Sequence, residues 1–300
     1  MMKTTHDGIF AAALTPFDSD GSVAVDQVPA MVEYYLSQGV QGLYVCGSTG
    51  EGPSLSSSER RELAEAFLGA ARDKMTVIVQ VGHNSVTEAR LLANHAEAHG
   101  ADAISANCPS YFGVESLAML VETSAYVAAG APKTPFYYYH IPSLTGVNYS
   151  MSEFLACAES KIDNLAGMKF TAPVLDQFQL CLQWRKGEGT FFWGVDEVMY
   201  SALAVGAKGA IGSTYNVVTP LFQKIVTAFS DGELATAESL QFRAVQFIEV
   251  LKSYPFISAL KTIITRLGIP MGGARLPNRS VSEEETERFL SQVDELSVLE

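Results

Sequence analysis

Leu165-Ala166-Gly167-Met168-Lys169-Phe170-Thr171 is a short apolar run with one cation near its end. Such near-continuous apolar character suits a strand buried on both faces of a parallel sheet. Runs of the same kind recur at residues 9–15, 42–46, 77–82, 103–106, 135–140, 165–170, 190–193 and 209–212, giving eight candidate strands. The first six begin about 25 to 35 residues apart, the spacing of strand, loop, helix and return in successive βα units. Between the first two, Val25, Val28, Met31, Val32, Tyr35 and Leu36 form a helical stripe that stops at Gly39. Before the third, Ser56 and Glu59 form a capping box, with Leu63, Phe67 and Ala71 as the apolar face behind it. Eight such units closing on themselves remove both sheet edges, so the pattern predicts a (β/α)8 TIM barrel over residues 1–220.

After Tyr215 only helical periodicity continues, over residues 221–229, 235–254, 255–267 and 282–298. This predicts a C-terminal helical extension over residues 221–300, packed on the barrel as one structural unit. Two prolines and three glycines within residues 268–277 set its last helix apart, because both residue types are unfavourable in a helix interior.

Composition narrows the function. Lys plus Arg total 20 against 33 Asp plus Glu, a net charge of −13, so no positive field draws in nucleic acid. With 48% hydrophobic and 18% charged residues the chain has the composition of a compact globular protein. Its longest apolar stretches, such as residues 9–14 and 202–207, fall far short of a bilayer span, so no membrane association is expected. Residues 1–7 are polar and lack the pattern of a secretory leader, which predicts a cytoplasmic location. Cys46, Cys108, Cys157 and Cys181 show no CxxC spacing and read as unpaired thiols. His83, His95, His99 and His140 form no HExxH or other ligand pattern, so no metal is expected.

In a barrel of this kind the active site lies at the C-terminal ends of the strands. The second candidate strand ends in Gly47-Ser48-Thr49-Gly50-Glu51, whose backbone N–H groups and hydroxyls can converge on a carboxylate, or can simply satisfy a tight turn. Lys169 ends the sixth. Burial there would lower its pKa and free an amine able to form a Schiff base, whereas a lysine with its head at the barrel mouth would stay an ordinary cation. In the fifth, alternation points Tyr137 and Tyr139 one way and Tyr138 and His140 the other. A tyrosine facing the interior can shuttle protons, and any of the three can equally fill core. Gly194-Val195-Asp196-Glu197 puts two carboxylates after the seventh strand, to hold the hydroxyls of a polyol or to complement a helix N-terminus. The eighth ends in Gly212-Ser213-Thr214-Tyr215 with only Lys208 nearby, too little positive charge for a phosphate site.

Taken together, Gly47-Ser48-Thr49-Gly50-Glu51, residues 139–146, Gly167-Met168-Lys169 and residues 209–216 resemble the N-acetylneuraminate lyase and dihydrodipicolinate synthase superfamily of pyruvate-dependent class I aldolases. The resemblance runs nearly end to end. It implies that Lys169 forms a Schiff base with pyruvate, that Ser48 and Thr49 bind the pyruvate carboxylate, and that Tyr139 shuttles the proton with Ser48 in its hydrogen-bond chain. It also implies that Tyr111 reaches a neighbouring subunit's site in a homotetramer built as a dimer of dimers. Leu144 stands where the synthases carry an arginine, which removes a bidentate carboxylate clamp. Residues 139–146, 194–197 and 212–216 instead look like the sialic acid lyases, in which Thr171, Gly194, Asp196, Glu197 and Ser213 would contact the sugar. The implied reaction is reversible cleavage of N-acetylneuraminate to pyruvate and N-acetylmannosamine, with no metal or diffusible cofactor.

Overall fold

The computed structural model describes residues 7–299; residues 1–6, most of the segment read above for a leader, lie outside that range. Eight strands close a barrel in chain order: β1 (Gly8–Ala12), β2 (Gly42–Val45), β3 (Thr76–Gln80), β4 (Ala103–Ala106), β5 (Phe136–His140), β6 (Leu165–Phe170), β7 (Thr190–Trp193) and β8 (Gly209–Gly212). All neighbours run parallel, and β8 returns to β1 through the register Gly8↔Gly209 to Ala11↔Gly212. The expected TIM barrel is therefore the observed one.

The helices that follow the strands are α1 (Val28–Ser37), α2 (Ser57–Ala71), α3 (Val86–Ala98), α4 (Leu117–Ala128), the short α5 (Pro142–Thr145), α6 (Met151–Ala158), α7 (Leu175–Leu182), α8 (Met199–Ala204) and α9 (Thr219–Ser230). The extension holds α10 (Leu234–Lys252), α11 (Phe256–Arg266) and α12 (Glu283–Glu295). Because α9 follows β8 as the barrel's own eighth helix, the residue 220/221 division of the sequence reading falls inside α9, and the helices beyond the barrel begin with α10. Serines start several helices. The Ser56 side chain accepts from the Glu59 amide while the Glu59 carboxylate accepts from the Ser56 amide, as the capping box requires.

Two layers of apolar packing follow from strand alternation. Phe10, Tyr44, Ile78, Tyr137, Tyr139, Phe192 and Ile211 fill the barrel, while the opposite faces of the strands pack on the helices. Tyr138 lies against Phe154 of α6 and His140 against Phe170, so both point outward from the barrel.

β1 stops at Ala12, short of the expected Thr15, because a side-chain amide takes over the ladder. Asn216, fully buried after β8, donates from Nδ2 to the Ala12 carbonyl at 2.8 Å, and its Oδ1 accepts from the Leu14 amide at 3.3 Å and the Tyr35 hydroxyl at 2.5 Å. The amide thus bridges the first and last strands and ties α1 to them. Asn216→Ala leaves several buried polar groups without partners, at roughly 1–3 kcal/mol each before relaxation. We expect the variant to lose about 3 kcal/mol or more, measured as a lowered urea midpoint at unchanged slope.

Candidate active site

The side chain of Lys169 is turned into the barrel and 5% exposed, level with Tyr139 on β5 and Phe192 on β7. Its Nζ stands 4.2 Å from the centre of the Tyr44 ring and 4.3 Å from that of Tyr139. Of the two readings left open by the sequence, the structure selects the buried amine. Desolvation lowers its pKa to about 7, opposed by the attraction of the Asp196 carboxylate. The two ring faces attract a cation but offer no lone pair, so they replace only part of the lost hydration.

Asp196 is also buried. Its Oδ2 accepts from the Thr214 amide at 3.0 Å and hydroxyl at 2.7 Å, while Oδ1 has no hydrogen-bond partner among the described residues. Burial raises its pKa to about 6, against the Thr214 hydrogen bonds that favour the carboxylate. Gly212 makes room for it, since a Cβ there would lie 1.9 Å from Oδ1. Asp196 thus leaves the start of α8 uncapped and holds the Thr214 backbone and hydroxyl instead, with the Tyr215 phenol close by.

The Tyr139 phenol is buried, which raises its pKa; the nearby Ser48 and Thr171 hydroxyls partly offset the rise by favouring the phenolate. The Thr171 Oγ1 itself makes no hydrogen bond of ordinary geometry. Gly194 abuts that hydroxyl, and a Cβ there would come within 2.1 Å of it. Across the mouth, Thr49 Oγ1 and Ser213 Oγ share a 2.7 Å hydrogen bond that joins the loop after β2 to the end of β8. Lys169, Tyr139, Ser48, Thr49, Thr171, Gly194, Asp196 and Ser213 therefore gather at the C-terminal end of one barrel.

Two expected residues point elsewhere. The Glu197 carboxylate turns to Lys252 of α10, with Nζ at 3.0 Å. Tyr111 is 82% exposed, edge-on to Phe112 at 5.1 Å, on a loop held by Asn84 Oδ1, which accepts from the Ser110 and Tyr111 amides at 2.9 and 3.1 Å. Its ring faces solvent.

Two further groups belong to the site and were not singled out in the sequence. Tyr44, legible only once the inward face of β2 is known, supplies one of the rings over Lys169 and donates to Ser105 at 3.1 Å. Lys261 of α11 gave no local signal at all. Its Nζ lies 2.7 Å from Glu51 Oε1, both side chains at most 1% exposed, and donates to the Gly273 carbonyl at 2.9 Å. Glu51 Oε2 accepts from the Arg275 amide at 2.8 Å, and the Arg275 side chain pairs with Glu59 and with the Gly21 carbonyl. Glu51 itself sits at φ 55°, a left-handed conformation unusual for a residue with a side chain. The loop that carries Ser48 and Thr49 is thus locked from behind by the extension.

Fold and site together define a (β/α)8-barrel protein built around a buried lysine whose pKa is lowered to about 7. The chain belongs to the dihydrodipicolinate synthetase family, whose model matches residues 5–296. It is 39% identical over 297 residues to the N-acetylneuraminate lyase of Mus musculus, covering 97% of this chain and 93% of that one. Among solved structures, it superposes on the Proteus mirabilis N-acetylneuraminate lyase with a TM-score of 0.96 at 34% identity, covering 99% of this chain and 100% of the other. The N-acetylneuraminate lyase (sialic acid aldolase) of Aliivibrio salmonicida gives a TM-score of 0.96 at 36% identity, covering 99% of each chain.

Lys261→Met leaves Glu51 as an unpaired buried charge, which costs about 3–5 kcal/mol. We expect urea unfolding to show a loss of that size, and Glu51→Gln added to Lys261→Met to restore part of it.

Proposed function

We propose that this chain is a carbon–carbon lyase that cleaves N-acetylneuraminate reversibly into pyruvate and N-acetylmannosamine through a Schiff base on Lys169. The observation that carries the reading is the Lys169 amine, enclosed between the Tyr44 and Tyr139 rings with its pKa lowered to about 7, so that much of it is a free nucleophile at neutral pH. Its similarity to N-acetylneuraminate lyases over nearly the whole chain supports the choice of substrate.

In the proposed sequence, the Lys169 lone pair attacks the C2 ketone of the open-chain sugar acid, whose carboxylate is held by Ser48 and Thr49. A proton passes from nitrogen to oxygen, giving a carbinolamine. Tyr139 then protonates the departing hydroxyl, releasing water and leaving an iminium and a phenolate. The phenolate takes the C4 hydroxyl proton as the C3–C4 bond breaks; the bond's electrons enter the iminium, giving an enamine and the aldehyde of N-acetylmannosamine. Tyr139 returns its proton to C3, and water hydrolyses the resulting iminium, freeing pyruvate and the amine and giving the released proton back to the Tyr139 phenolate. The lysine supplies the electron sink, so no metal or diffusible cofactor enters the scheme.

Asp196, Ser213, Thr171 and the backbone at Gly194 are assigned to the sugar's hydroxyl chain. Glu197 joins them only by leaving Lys252. Leu144, at the position where a dicarboxylic second substrate would need a guanidinium, favours lyase over synthase chemistry. The exposed Tyr111–Phe112 pair fits burial against a second copy, where Tyr111 would complete a neighbouring site in a tetramer. Among the described residues no helix is long and apolar enough to cross a membrane, and the four cysteines are unpaired, as expected of a protein kept in the reducing cytoplasm.

Pyruvate release from N-acetylneuraminate tests the assignment. The wild-type protein should release pyruvate, Lys169→Ala should release none, and Tyr139→Phe should be slower by about 10²–10⁴-fold. A folded wild-type protein that releases no pyruvate would overturn the substrate assignment, while borohydride trapping of pyruvate on Lys169 reports the Schiff base separately. Because the reactive form of Lys169 is deprotonated, kcat/KM should rise with pH through about 7.

A further inference from the structure

The strongest unassigned cluster lies on the outside of the barrel, where α2 packs beside α3. Glu65 of α2 faces two histidines one turn apart at the C-terminal end of α3, His95 and His99, whose rings lie with centroids 4.1 Å apart and planes inclined by 33°. His95 Nε2 lies 2.8 Å from Glu65 Oε1, and His99 Nε2 lies 3.6 Å from the same oxygen. One ligand atom from each of the three side chains falls within 4.8 Å of the others.

The orientation of His99 is fixed by its other nitrogen. Nδ1 lies 2.8 Å from the His95 carbonyl, an acceptor only, so Nδ1 carries a hydrogen. In the neutral ring the lone pair then belongs to Nε2, the atom aimed at Glu65. This is the arrangement by which a backbone carbonyl presets a metal-binding imidazole. Tetrahedral zinc with bonds near 2.0–2.1 Å separates its ligand atoms by about 3.3 Å. The observed 2.8 and 3.6 Å bracket that value, and Glu65, at 51% side-chain exposure, is free to adjust by the difference. His95, at 15%, is the anchored member.

We infer that Glu65, His95 and His99 form a surface site for a borderline divalent transition metal, zinc foremost, with solvent in the remaining position and α2 cross-linked to α3. Two imidazoles and one carboxylate select such ions over magnesium or calcium, which prefer all-oxygen ligands. Helices of the barrel run antiparallel to its strands, so the end of α3 adjoins the start of β4, on the face opposite the Lys169 site. The metal would therefore brace the scaffold and leave the reacting groups untouched. The inference does not rest on the proposed reaction.

Titration of chelator-stripped protein with ZnCl2 by calorimetry tests it, with thermal unfolding followed in parallel. The expected result is one saturable equivalent per chain, a raised Tm on zinc addition, and at least about tenfold weaker binding in His95→Ala and His99→Ala. Glu65→Gln should also weaken binding, His83→Ala should leave it unchanged, and pyruvate release should stay the same in all four variants. Cobalt in place of zinc should give the visible absorption of a low-symmetry four-coordinate ion. Absence of binding tighter than on the order of 1 mM would overturn the inference and leave the cluster as an ion pair between imidazole and carboxylate. Binding that survives both histidine substitutions would overturn it equally, placing the metal elsewhere.

Discussion

Removing an ammonium group from water is costly, and everything around Lys169 follows from how this protein handles that cost. The barrel surrounds the amine with aromatic faces from Tyr44 and Tyr139 and keeps Asp196, the carboxylate whose charge acts on it, occupied on its Oδ2 by Thr214. A closer, fully available carboxylate would hold the lysine as a cation and end its use as a nucleophile. The same burial raises the pKa of Asp196 to about 6 and that of Tyr139 above its ordinary value. Burial thus brings the Lys169 and Asp196 values close together, while it moves the Tyr139 phenol further from both.

Stability is spent here in a definite pH pattern. Between about 7 and the value of an exposed lysine the unfolded chain binds more protons at Lys169 than the folded one, so that group's contribution to stability rises with pH across the window. Asp196 acts in the opposite direction between its ordinary carboxylate value and about 6, where the folded chain binds more protons. Neither group is placed for stability, and both depend on the rest of the barrel to keep them enclosed.

Much of the fold was legible because parallel strands buried on both faces leave a strong apolar signature at a regular interval. β2, β4, β5, β6, β7 and β8 fall within a residue of expectation, and the lysine of β6 stands out for being charged in such a run. β1 ended early because Asn216, about two hundred positions away, substitutes its amide for the ladder, and local sequence carries no trace of that. Adjacency and the family resemblance both group Glu197 with Asp196, but after β7 the two carboxylates take different partners, one Thr214 and the other Lys252 of α10. His95 and His99 showed their one-turn spacing, yet nothing indicated that Glu65 would come from another helix to meet them. Residues brought together by strand order were readable; those brought together by helix packing or by the extension were not.

The lock behind the loop after β2 bears on how the chain is made. Ser48, Thr49 and Glu51 leave the ribosome early, but Lys261 and Arg275, which hold Glu51, lie near the end, Arg275 224 residues later. A nascent chain can close all eight strands and still carry a glutamate with no countercharge in a strained backbone position. The contacts that hold the loop after β2 are therefore complete only after nearly the whole chain has been synthesised. Completeness of the polypeptide becomes a condition for that lock, and a prematurely ended product would keep Lys169 but lack both groups that hold Glu51.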